Sequence, residues 1–391
     1  MSKAYTYPTL LWRFVMKSSQ AKKQPIISSG HMLLGCRFDI WLKLLIQNRF
    51  HIAPSRIPQA LYITLLSLFL FPFALLERLI LALPLKRQKV KRPLFVLGHW
   101  RSGTTYLQNL LSKDPALGWF EPAAATMFNN VTLLGWLIRP LMRGVLPDAR
   151  PMDNLEYTED LPMEEVFAVA SVSTLAVDNL MSFPEYFEYY LDAAFVDQLP
   201  EDLRQEWRRK YDYVLRKQTW RCKGKPLMLK SPDATCRGLE LYRMYPDARF
   251  IHIYRDPYKV VRSTINMFVK IMDQMCLQKK PDPMYIEDMI VATSGRIFRK
   301  VIADVEQIPK DQIIEVRYED FEQDALGHLR RIYDHLGLPG FDKAEPAFKA
   351  YIDSQKDYQK NRFDIEPRLV RKINEQCGFY FEHYGYPMKE V

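Results

Sequence analysis

Apolar and polar positions divide the chain into two unequal parts. From His31 to Phe50, the apolar residues Leu33, Leu34, Ile40, Trp41, Leu44, Leu45 and Ile46 fall mostly at helical spacing, with Arg37, Lys43 and Arg49 between them. After Pro54 and Pro58, Leu61–Leu76 runs sixteen residues without a charge, broken by Pro72. Glu77 and Arg78 interrupt it, and Leu79–Leu85 continues apolar. From Pro93 onward, short apolar runs alternate with longer amphipathic ones. The short runs predict strands at 94–98, 227–230, 249–254 and 313–318. The longer runs predict helices at 164–176, 201–219, 258–272, 288–305 and 322–336. This alternation implies an α/β fold with a central parallel sheet and helices on both faces.

The boundary falls near residue 90, so residues 1–90 read as a basic, apolar helical region and 91–391 as the α/β domain. Sixteen residues of helix span roughly 24 Å, short of the roughly 30 Å hydrocarbon core of a bilayer. Adding the second apolar run would bury Glu77 and Arg78 in lipid, at about 3 kcal/mol each. A monotopic helical hairpin lying in one leaflet is therefore the favoured reading. Helices packed on the α/β domain or a dimer partner, and a single span, are the alternatives. Lys17, Lys22 and Lys23 interrupt any apolar core in the first 30 residues, so these resemble no secretory signal.

Composition sharpens this picture. With 48% apolar residues and 15 glycines in 391, the chain is globular and not disordered. Its formal charge of +9 is unevenly spread. Residues 1–92 carry 15 Lys/Arg against two acids, Asp39 and Glu77, whereas the remainder carries 40 against 44. A nucleic-acid partner is therefore not expected. A basic segment interleaved with Trp12, Phe14, Phe38, Trp41 and Phe50 suits the cytoplasmic face of an anionic membrane, reached through residues 31–92. Five scattered cysteines without a C-x-x-C pair fit reduced thiols in the cytoplasm. No histidine spacing fits a metal, and none is expected.

Gly98-His99-Trp100-Arg101-Ser102-Gly103-Thr104-Thr105 follows the first predicted strand and opens a helical pattern at Tyr106, Leu107, Leu110 and Leu111. A strand, a loop with glycines five apart, then a helix with early hydroxyls is the layout of a phosphate cradle. In an NTPase loop a lysine would follow the second glycine, but Thr104 stands there. Arg101 is the nearest cation. A second anion site is suggested by Tyr254–Ser263, where Arg255 ends a strand and Ser263 lies near the start of a helix.

With both loops in view, the chain resembles the sulfotransferases that use 3′-phosphoadenosine 5′-phosphosulfate (PAPS). The resemblance covers roughly residues 91–388 and implies a P-loop-like three-layer fold. Leu229-Lys230-Ser231-Pro232, Val316–Asp320, Arg150–Asn154, Pro162–Ala168 and Tyr358–Asn361 also match one branch of that family. The resemblance implies that His99, Trp100, Arg101, Ser102, Gly103, Thr104 and Thr105 hold the 5′-phosphosulfate, with Arg101 as the working cation. It likewise implies that Arg255 and Ser263 bind the 3′-phosphate, Lys360 and Asn361 close over the nucleotide, and Lys230 approaches the transferring group.

The acceptor must lose a proton as it attacks, so a base is needed. The matching segment, Pro162–Phe167, holds no histidine; Glu164 is the first candidate and Glu165 the second. The structural alternative is that Asp160 and Pro162 start a helix whose dipole favours both glutamates. His99 is a rival base better suited to positioning the loop, and His252 reads as a core residue. Asp256 would suit a Walker B element, which keeps a P-loop kinase open; a non-catalytic nucleotide binder is the other alternative. Trp119-Phe120, Met127-Phe128 and Phe183–Tyr190 offer an apolar acceptor pocket. The expected acceptor is a small molecule or lipid bearing a hydroxyl, with an amine as the alternative.

Overall fold

Four short strands form the centre: β1 (Leu94–Leu97), β2 (Met228–Lys230), β3 (Arg249–Tyr254) and β4 (Ile313–Arg317). The computed structural model describes residues 30–143, 161–356 and 364–390, and joins the strands in the order β2-β1-β3-β4, all parallel. Val96 lies opposite Lys230 on one side and Ile251 on the other. The chain leaves β1 for β2 at one flank, then crosses to β3 at the other. The carboxyl end of β1 is therefore the switch point at which such sheets leave a crevice.

The longer helices are α1 (Phe38–Gln47), α2 (Ile57–Arg87), α3 (Thr104–Leu111) and α4 (Val131–Arg143). The short α5 (Val166–Ala170) follows, then α6 (Glu201–Arg221), α7 (Pro257–Met275) and α8 (Pro283–Val305). α9 (Tyr318–Gln323), α10 (Ala325–Leu336), α11 (Phe341–Ser354) and α12 (Pro367–Tyr384) complete the series. Alternate strand residues face opposite layers. Leu94, Val96, Ile251 and Val316 pack with Leu107 of α3, Ile332 of α10 and Phe348 of α11. Phe95, Leu97, Leu229 and Phe250 join a larger core with Val214 of α6, Val261 of α7, Ile297 of α8 and Ile373 of α12. The result is the three-layer arrangement that the alternating pattern predicts.

The predicted strands match those observed to within one residue, but the helix predicted over 164–176 is only α5. Its continuation is sequestered by other partners. The Ser171 carbonyl accepts from the Arg37 amide, and Ser173 Oγ accepts from the Leu175 amide at 3.1 Å. Such side-chain and backbone competitors replace the helical ladder. The helix predicted over 322–336 begins instead at Ala325, where Asp324 caps it by accepting from the Gly327 amide at 2.9 Å.

At the N-terminal end the expected hairpin does not form. α2 is one helix of 31 residues, and at 1.5 Å per residue it runs about 46 Å. Pro72 lies on its exposed side, and Glu77 turns inward instead of breaking the helix. The Glu77 carboxylate is buried, pairs with Lys217 of α6, and accepts from the Thr132 and Leu133 amides at 3.0 and 2.7 Å. Those amides open α4, so a charge that looked costly in lipid is satisfied inside protein. Trp41 Nε1 donates to Thr64 Oγ1 at 2.8 Å, tying α1 to α2. Leu33, Trp41, Leu44 and Ile63 enter the larger core alongside Phe95.

Burial pulls the Lys217 ammonium down to about 8, against the raising effect of Glu77. Removing one member of such a pair strands the other. Glu77→Ala should lower unfolding free energy by about 3–5 kcal/mol in chemical denaturation. Glu77→Gln, which still accepts from the α4 amides, should cost less; equal losses would contradict this account.

Candidate active site

The loop after β1 takes its shape from two close approaches. A side chain on Gly98 would meet Ser102 Oγ at 2.7 Å and the Ile253 carbonyl at 2.8 Å. Gly103, at φ +101°, would drive a Cβ to 2.1 Å from the ring of Tyr318. The Gly98 amide donates to Thr235 Oγ1 at 2.7 Å, and Ser102 Oγ donates to the His99 carbonyl at 2.8 Å. Gly103 then serves as N-cap of α3. The first amides of α3, at Thr104 and Thr105, have no acceptor within their own helix and sit at the positive end of its dipole.

Arg101 adopts φ +67°, a left-handed conformation that costs a side-chain-bearing residue about 1–2 kcal/mol. Contacts from the β3–α7 segment hold it there. Arg101 Nε donates to Ser263 Oγ at 3.0 Å, and Arg255 Nη1 donates to the Arg101 carbonyl at 3.0 Å. Arg255 in turn lies over the Tyr318 ring, 4.1 Å from its centroid. Its Nε is buried and bonded to no described group. The two anion motifs, more than 150 residues apart in sequence, thus meet in one place. Two arginines, an unpaired guanidinium N–H and a hollow no Cβ may enter together fit an anionic ligand.

The carboxylates lie at the end of β2. Met163 is pinned from both sides: its amide donates to the Phe120 carbonyl at 2.7 Å and its carbonyl accepts from Gln108 Nε2 of α3 at 3.2 Å. The glutamates that follow point to different places. Glu164 is partly exposed and pairs with the buried Lys230. Glu165 is fully buried, accepting from Ser231 Oγ at 2.7 Å and Tyr211 Oη at 3.1 Å. Burial, reinforced by the nearby Asp233 charge, pushes the Glu165 carboxyl up to about 7. Asp178, partly buried beside Asp233 and Glu164, is held well above the usual carboxylate range by desolvation and by those charges. Asp233 itself forms a 2.6 Å ion pair with Arg237.

Other expectations need correction. The glutamates do not occupy a helical first turn, because α5 starts only at Val166 with Glu165 as its N-cap. Phe120, Phe128, Phe183 and Tyr190 are buried in the main core, whereas Trp119, Met127 and Tyr186 are partly buried and Tyr189 is exposed. Asp256 caps α7, accepting from the Tyr258 amide at 2.9 Å. His99 is buried, which pulls it down to about 4, and its Nδ1 lies 2.9 Å from the Trp100 carbonyl. The Trp100 ring packs edge-on to Phe268. His252 is buried against Glu315 at 2.8 Å. Arg150–Asn154, Asp160, Lys360 and Asn361 lie outside the described residues. Thr235 and Tyr211 were not foreseen, since single hydroxyl residues carry no spacing signal; Ser231 and Tyr318 lie in the matched segments at 229–232 and 316–320, without a role assigned to either.

Comparison with known proteins places this geometry in context. Residues 93–343 match a family described as "Sulfotransferase family". The omega-hydroxy-beta-dihydromenaquinone-9 sulfotransferases Stf3 of Mycobacterium bovis and Mycobacterium tuberculosis are each 30% identical over 357 residues, 90% of either chain. Among solved structures, sulfotransferase STF9 from Mycobacterium avium shares 19% identity, with a TM-score of 0.66 over 91% of this chain and 98% of its own. Sulfotransferase STF1 from Mycobacterium tuberculosis shares 17%, with a TM-score of 0.60 over 86% and 92%.

The buried Glu165 leaves a thermodynamic signature. Its folded value of about 7 lies above the ordinary 4.5, so the fold favours the protonated form. That stabilisation is complete below pH 4.5 and is lost as pH rises through about 7. Wild type should therefore lose on the order of 3 kcal/mol relative to Glu165→Gln across that window, measured by denaturation at several pH values. Parallel pH profiles would contradict the assignment.

Proposed function

The chain belongs to the sulfotransferase family, and on that premise we propose that it moves the sulfuryl group of PAPS to the hydroxyl of a lipid or other amphiphile. The observation that carries this reading is the convergence of Arg101, Ser263 and Arg255, with the Glu164–Lys230 pair at the end of the neighbouring strand. Arg255 and Ser263 hold the 3′-phosphate. Arg101, the α3 amides and the hydroxyls of Ser102, Thr104 and Thr105 grip the 5′-phosphosulfate, and His99 and Trp100 keep the loop in shape. Lys360 and Asn361 close over the nucleotide.

Glu164 is the base. Its carboxylate takes the acceptor proton as the acceptor oxygen bonds to sulfur. The bond from sulfur to the 5′-phosphate oxygen breaks, and adenosine 3′,5′-bisphosphate leaves. Lys230 keeps Glu164 turned into the site and places positive charge beside the transferring group, where preorganised cations stabilise developing charge. Glu165 holds Ser231 next to Lys230. The chemistry needs no lysine after Gly103, since there is no triphosphate to grip.

The Stf3 relatives are named for a hydroxylated menaquinone. That name supports a long apolar acceptor with a hydroxyl here. Such an enzyme would work in the cytoplasm, meeting its acceptor at the membrane's cytoplasmic face. Glu164→Gln should lower kcat at least about 100-fold, as loss of a general base does, while leaving affinity for adenosine 3′,5′-bisphosphate unchanged. Turnover with labelled PAPS and a hydroxylated amphiphile measures the first and calorimetry the second. Wild-type turnover in Glu164→Gln would sink the base assignment.

A further inference from the structure

α2 buries one face and leaves the other bare. Leu70, Ala74, Glu77 and Leu81 turn into the protein. On the opposite side Leu65 (65% exposed), Phe69 (68%), Leu79 (73%) and Leu83 (72%) form a continuous apolar stripe. Among the exposed residues from Ile57 to Leu85, only Arg78 is charged. α4, whose first amides are tied to Glu77, adds Trp136, 74% exposed. No described residue covers this surface. An apolar expanse this long is uncommon on a soluble monomer and marks an interaction site.

Charge identifies the occupant. Lys86, Arg87, Lys89, Lys91 and Arg92 are all exposed at the end of α2, and from Ile40 to Arg92 the only acid is the buried Glu77. An apolar stripe ending in a basic cluster is complementary to an anionic lipid surface. The helix does not suit spanning, although Pro54–Arg87 is long and apolar enough. Its Gln59, Ser67 and Glu77 face is occupied by protein along its length.

We propose that α2 and α4 form a platform that seats the protein flat on an anionic bilayer, within one leaflet. α6 links platform and site, since its Lys217 reaches Glu77 and its Tyr211 reaches Glu165. Docking therefore holds the base-bearing turn in a fixed position relative to the membrane, so that an acceptor is modified without leaving it. This last step rests on the amphiphilic acceptor proposed above; the docking does not.

Flotation of the full chain with vesicles of phosphatidylcholine, with and without phosphatidylglycerol, tests the proposal. Wild type should float with the anionic vesicles, and less so at high salt. Leu79→Lys/Leu83→Lys should reduce partitioning at least about tenfold, and Lys86→Gln/Arg87→Gln/Lys89→Gln should abolish the preference for phosphatidylglycerol. Turnover with a short, water-soluble hydroxyl acceptor should be the same in Leu79→Lys/Leu83→Lys as in wild type, showing that the variant is folded. Wild type remaining in the buffer layer, or unchanged flotation of Leu79→Lys/Leu83→Lys, would overturn the platform. So would a dimer in sedimentation velocity that this variant dissociates while wild type ignores vesicles. Flotation without sulfuryl transfer would instead defeat the function proposed above and leave the platform standing.

Discussion

Arg101 sits in a left-handed conformation, and the site depends on the contacts that reach it from the neighbouring strand's end. Arg255 grips its carbonyl and Ser263 accepts from its guanidinium. These contacts come from the segment after β3, two strand crossings later in the chain. Parallel pairing of β1 with β3 brings the two carboxyl ends side by side, so the hydrogen bonds become short-range. A cost of about 1–2 kcal/mol in backbone strain is thus offset by two charge-assisted hydrogen bonds. Tyr318, at the end of β4, supports the arrangement from below, packing against both Gly103 and Arg255.

A second constraint runs through α6. One side of this helix meets the N-terminal region through Lys217 and Glu77; six residues earlier, Tyr211 meets Glu165. The N-terminal helices are therefore structurally continuous with the site. They contribute to the same apolar core as β1, and their one buried acid orders the first turn of α4. What looks in sequence like a membrane segment attached to an enzyme is, on one face, part of the enzyme's packing.

Much of this was legible beforehand, for physical reasons. β1 is a fully buried apolar run and the other strands are short runs rich in Ile, Leu, Met and Val, so all four stood out. The glycines of the first loop are required by close approach, and the arginine and serine eight apart mark a strand-to-helix turn, so both halves of the anion site were readable. Glu164 and Lys230 were found separately; their pairing was not, since no local pattern joins residues 66 apart. Glu77, which interrupts the apolar run and looked costly in lipid, is satisfied by distant partners, Lys217 of α6 and the first amides of α4. Asp256, which kept a Walker B reading open, is occupied locally by the amide of Tyr258, two residues on. Single-residue hydroxyl contacts, such as Thr235 on the Gly98 amide, have no periodicity from which to be foreseen.

The central claim is that Arg101, Arg255 and Ser263 form one site for a nucleotide carrying phosphates at both its 3′ and 5′ positions. Calorimetric titration of adenosine 3′,5′-bisphosphate, adenosine 5′-phosphate and Mg²⁺-ATP, each against the full chain, tests it most directly. The account predicts that the bisphosphate binds without metal and at least about tenfold more tightly than the 5′-phosphate, since the charge-assisted bonds to Arg255 and Ser263 are lost with the 3′-phosphate. Equal affinity for the two adenosine phosphates, or tighter binding of Mg²⁺-ATP than of the bisphosphate, would contradict it.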